Sequence, residues 1–74
     1  MSNNLISRLG FEEYAFNLLI NEIENGNLYN GYKCEHDNGS ISIQSAGEEF
    51  IVAVRTYIPG NGWMSTEFNY KPTN

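Results

Sequence analysis

The chain has 74 residues, a formal net charge of −5 from nine acids against four bases, one cysteine and one histidine. Such a length makes a single small domain, residues 1–74, with a thin core, because it buries only about 60% of the surface its unfolded chain exposes. The lone cysteine excludes an internal disulfide, one histidine leaves too few soft ligands for a structural zinc site, and the scattered cations Arg8, Lys33, Arg55 and Lys71 argue against direct binding of nucleic-acid phosphates.

The opening stretch MSNNLISRLGFEEYAF has no basic flank followed by a long apolar run, and the longest aliphatic run nearby is Leu18-Leu19-Ile20. Neither a signal peptide nor a membrane span is expected, and the lone thiol suits a reducing, cytoplasmic location. In that setting Asn38-Gly39-Ser40 reads as a turn, not a glycosylation site.

Phe11 to Asn25 predicts the main helix, with good helix formers, no proline, and Gly26 where a left-handed residue ends a helix. Gly10 predicts a break between this helix and a short helical turn holding Leu5, Ile6 and Leu9. The apolar arc runs through Phe11, Tyr14, Ala15, Leu18 and Leu19 and continues through Phe16, Ile23 and Ile20, wider than the roughly 100° stripe that one sheet face requires. Phe16, Ile20 and Ile23 are therefore candidate contacts to a second chain in a homodimer, unless the helix is sandwiched in its own fold.

Beyond Gly26 the period changes to two. Tyr32, Cys34 and His36 alternate with Lys33, Glu35 and Asp37, then Asn38-Gly39 precedes Ser40-Ile41-Ser42-Ile43-Gln44. A two-residue type I′ loop at Asn38-Gly39 pairs His36 with Ile41 and Cys34 with Ile43. Ala46 to Glu49 forms a turn, Phe50 to Ile58 the third strand, and Trp63 to Lys71 the fourth. Placing Tyr57 opposite Trp63 gathers Phe50, Val52, Val54, Thr56, Met64, Thr66, Phe68 and Tyr70 on one face, whereas a one-residue slip exchanges the faces. The expected fold is thus α+β: one N-terminal helix, about 11–25 with a short turn before it, packed on a four-stranded antiparallel meander.

Cys34 and His36, two apart on one strand, point the same way with Cα atoms about 7 Å apart. That spacing suits an activated thiol, but no third, orienting residue accompanies them, and both also fit as the lining of the helix-facing side. Neighbouring carboxylates such as Glu12-Glu13 diverge by 100° on a helix and make no shared-proton dyad. Asp37-Asn38-Gly39-Ser40 lacks the ligand spacing and closing glutamate of a calcium loop. No Walker loop, dinucleotide fingerprint or nucleophile elbow occurs. No catalytic residue, metal ligand or cofactor is assigned, and the expectation is a non-enzymatic protein.

The opposite sheet face carries Ile51, Ala53, Arg55, Tyr57, Trp63, Ser65, Glu67 and Asn69. Arg55, Tyr57 and Trp63 are of the types most enriched at energetic hot spots of protein interfaces, and the register sets them side by side. Glu48, Glu49 and Glu67 supply an acidic rim to the candidate partner-binding surface. In composition alone, this acidic, asparagine-rich chain resembles small phage-encoded inhibitors of host enzymes or defence systems, including anti-CRISPR proteins. The resemblance implies an inhibitor in the host cytoplasm that occupies a protein partner, a basic nucleic-acid-binding protein being the natural class, with carboxylates in place of phosphates.

Overall fold

A computed structural model describes residues 6–72. A helix, α1 (Arg8–Glu24), is followed by strands β1 (Tyr32–His36), β2 (Gly39–Ala46), β3 (Glu49–Ile58) and β4 (Gly62–Tyr70). The strands form one sheet in the order β1-β2-β3-β4, every pair antiparallel. This is the expected helix on a meander.

The helix begins earlier than expected and without a break. Ser7 is its N-cap, with extended backbone, and its hydroxyl accepts a hydrogen bond from the Gly10 amide at 2.9 Å. Gly10 lies in the first turn rather than at a hinge, so no separate turn precedes the helix among the described residues; Leu5 lies outside them. Glycine serves a packing need here. A Cβ at Gly10 would lie 3.1 Å from Ile6 Cγ1 and 3.2 Å from Ser7 Oγ, so its absence lets Ile6 fold back over the helix start and reach the core. At the other end, the Asn27 amide donates to the Glu22 carbonyl and the Gly26 amide to that of Ile23, with Gly26 at φ 81°. This pair of bonds is the Schellman arrangement that Asn25-Gly26 predicts.

Phe11, Ala15 and Leu19, spaced four apart on the helix, are fully buried against Ile41 and Ile43 of β2 and Val52 and Val54 of β3. A fully buried side chain of the larger kinds contributes about 1.5–3 kcal/mol, and partly buried residues such as Leu18, Phe50 and Phe68 pack around this cluster and add to it. The core therefore sits over the two central strands.

The register is as expected for β3 and β4, with Tyr57 opposite Trp63, Val52 opposite Phe68 and Val54 opposite Thr66. The first hairpin differs. Cys34 pairs with Ile41 and His36 with Gly39, two residues away from the expected pairing, and the turn is made by Asp37 and Asn38. A shift of two keeps every side chain on its face, so alternation alone does not distinguish the two registers. Contact with β3 decides between them. Gly39 pairs with Thr56, and a Cβ there would lie 2.3 Å from the Arg55 carbonyl oxygen, so glycine is required inside the strand and not in the loop. The Asn38 carbonyl accepts from the Tyr57 amide at 2.8 Å, and Asn38 lacks the positive φ that a type I′ loop would demand.

One asparagine joins the two layers. The Asn61 side chain, in the loop between β3 and β4, accepts from the Ile6 amide and donates to the Ile6 carbonyl, both at 3.0 Å. This clamp fixes the start of the helix over the end of the sheet.

Candidate functional site

The helix covers one face of the sheet and leaves the other open. The middle of the open face is built from small side chains, Ser40, Ser42, Ala53 and Ser65, because strand alternation places them opposite the core residues. Lys33 and Glu35 rise on one side as an ion pair at 3.0 Å, and Glu67 rises on the other. These residues outline a shallow trough across the strands.

At one end of the trough Arg55, Tyr57 and Trp63 come together as the sequence predicts. The Arg55 guanidinium carbon lies 4.2 Å from the Trp63 ring centroid, within range of a cation–π contact. Tyr57 meets the same indole edge-on, with centroids 5.6 Å apart and planes at 68°. Tyr57 is 45% exposed and Trp63 48%, so about half of each large side chain remains available. One indole thus holds both neighbours in place while presenting its own surface to solvent.

The predicted acidic rim is distributed rather than gathered. Glu67, opposite Ala53, shares the open face with the aromatic cluster. Glu49 lies near the far end of β3, about 26 Å from Tyr57 at 3.3 Å per residue. Its carboxylate accepts a hydrogen bond from Asn69 at 2.9 Å, and the exposed Glu48 lies 3.8 Å from Lys71. Of the other predicted contact residues, Ile23 packs against the core and Ile20 is half-buried. Phe16 is 42% exposed and leans on β4, its ring centroid 6.1 Å from that of Phe68 and 6.3 Å from that of Tyr70. Part of the wide helix arc is therefore used within the chain.

Cys34 and His36 also meet, with Sγ 3.2 Å from Nε2. They line a cleft of about 160 Å³ on the helix side of β1, beside Tyr14, Leu18, Ile41 and Thr56. Behind them is a polar group that the sequence pattern alone did not reveal. Glu22 accepts from Asn27 at 2.8 Å and from the Tyr32 hydroxyl at 3.2 Å. Partial burial, with the neighbouring Cys34 and Glu22 side chains, pushes the Tyr32 phenol up to about 12, so it remains a donor. The available signal was spacing: Glu22 lies four residues after Leu18 and seven after Ala15, on the helix face that meets the sheet. No group of three or more His, Cys, Asp or Glu able to hold a metal occurs among the described residues, and no described helix is long and apolar enough to cross a membrane.

Comparison with family models, with curated proteins and with solved structures finds no match to this chain.

Proposed function

We propose that the protein is a non-enzymatic binding module that docks the open face of its sheet on another protein, acting as an inhibitor by occupying that surface. The observation that carries this reading is the Arg55–Trp63–Tyr57 cluster, half-exposed on the face that the helix leaves uncovered. Mutual stacking limits the rotamers of the three side chains before any partner arrives, which lowers the ordering cost of binding. The excess of acids over bases favours a basic partner, such as a nucleic-acid-binding protein, in the host cytoplasm if the chain is phage-encoded.

Affinity capture from the native host, with wild type and Trp63→Ala in parallel, tests the face. A partner held by the wild type and lost from the variant supports it, and equal retention by both refutes it. Salt dependence tests the role of the carboxylates. Mimicry of phosphates requires affinity to fall steeply as ionic strength rises, whereas docking through the aromatic cluster is largely indifferent to salt. Cys34→Ser is expected to leave binding unchanged; loss of a measured activity in that variant would favour a small Cys/His enzyme instead.

A homodimer or assembly subunit is the second reading. It is favoured by Phe16, which remains 42% exposed at the helix flank beside β4.

A further inference from the structure

The sheet has two edges, and among the described residues they are unequally protected. Natural edge strands avoid pairing with other chains by being short or by carrying lysine or proline. β1 fits that pattern, with five residues and Lys33 and Glu35 paired on its surface. β4 is less protected: it has nine residues, GWMSTEFNY, with Glu67 its single charge and neither lysine nor proline among them. Its outer side has no strand neighbour among the described residues. A groove lined by Glu12, Phe16, Thr66, Glu67 and Phe68 runs between this edge and the helix.

We propose that β4 pairs antiparallel with β4 of a second copy about a two-fold axis at Thr66, forming a continuous eight-stranded sheet. This rests on the homodimer reading and commits it to an edge. The occupant is indicated by self-complementarity. Pairing about Thr66 sets Met64 opposite Phe68 of the other copy on the helix side, beside the groove that holds Phe16. On the open side it sets Trp63 opposite Asn69 and Glu67 opposite Ser65, with Arg55 on the strand beyond Ser65. Each carboxylate thus faces a small neutral residue with a cation behind it, and no like charges oppose one another. An even register is also required, because an odd one would place the helices on opposite faces and turn Phe68 toward the trough. The two open faces then join into one wide surface, with an aromatic cluster on each copy.

Sedimentation equilibrium of the full chain at micromolar concentration tests the proposal. Wild type is expected at twice the chain mass. Ser65→Glu, an exposed substitution that places two carboxylates opposite one another at each of two symmetric positions, is expected to raise the dimer dissociation constant about tenfold. Adding Glu67→Lys to the same chain is expected to restore wild-type association, since the carboxylate introduced at position 65 then meets the ammonium introduced at position 67 of the other copy. Circular dichroism of the variants confirms that the fold is retained. A wild type that stays monomeric overturns the homodimer reading and the edge together. A wild-type dimer unaffected by Ser65→Glu, or one not restored by the second substitution, overturns the edge and leaves a dimer formed elsewhere.

Discussion

The two faces of this sheet come from the same four strands, residue by residue in alternation, yet they do different work. Ile43 is fully buried beneath the helix, whereas Ser42 beside it faces the trough. On the buried side Ile41, Ile43, Val52 and Val54 are set by volume and by packing with Phe11, Ala15 and Leu19. The open side uses small residues and concentrates its large ones, Tyr57 and Trp63, at one end. The strand period thus separates the packed positions from the exposed ones, so substitutions on one face need not disturb the other.

The strongest test of that separation lies in the core. Ile43→Ala is expected to cost about 2–5 kcal/mol through lost burial and a residual cavity. Ser42→Ala, one residue away, should change stability by less than about 0.5 kcal/mol. Urea midpoints of the two variants measure the contrast, and similar losses at both positions would abolish it.

Next is the clamp between the layers. Asn61→Ala leaves the Ile6 amide and carbonyl without their partner, at a cost of about 1–3 kcal/mol. Amide exchange should accelerate first at Ile6 and in the first turn of α1. Uniform acceleration across the sheet would mean that the clamp supports the whole fold rather than the helix start.

Trp63→Ala probes the same division from the open side. Stability should fall by about 1 kcal/mol or less, the scale of an exposed cross-strand pair, while affinity for a docked partner should fall by about 2 kcal/mol or more. A variant that is strongly destabilised yet keeps its affinity would assign Trp63 to the fold.

A last, weaker effect is confined to high pH. Because the folded Tyr32 phenol titrates near 12 rather than 10, its contribution is fully present below pH 10 and is lost as pH rises toward 12. Wild type is therefore expected to lose stability over that interval relative to Tyr32→Phe, measured as the difference in urea midpoint. Parallel curves would remove Tyr32 from the alkaline transition.

Much of the open surface was legible from β3 and β4, since Val52, Val54, Phe68 and Thr66 form a compatible set in only one parity. The first hairpin shows the limit. Asn38-Gly39 has the form of a loop dipeptide, and a pairing shifted by two satisfies the same alternation. What placed Gly39 inside β2 was its close approach to the Arg55 carbonyl, a contact with the next strand along the chain. Gly10 misled for a related reason: glycine often marks a break, but here it makes room for Ile6. Asn61 carried no sequence signal at all, because its partner is the backbone of Ile6 at the other end of the chain.

The order of elements, the helix stop at Gly26, and the set of side chains sharing each sheet face were all written in the amino-acid order, because they depend on local periods and on backbone freedom within a few residues. The register of the first hairpin emerged only when β3 paired with β2, and the clamp at Asn61 and the polar chain from Asn27 through Glu22 to Tyr32 only when helix and sheet packed together. Each depends on a distance between segments that local propensity does not encode.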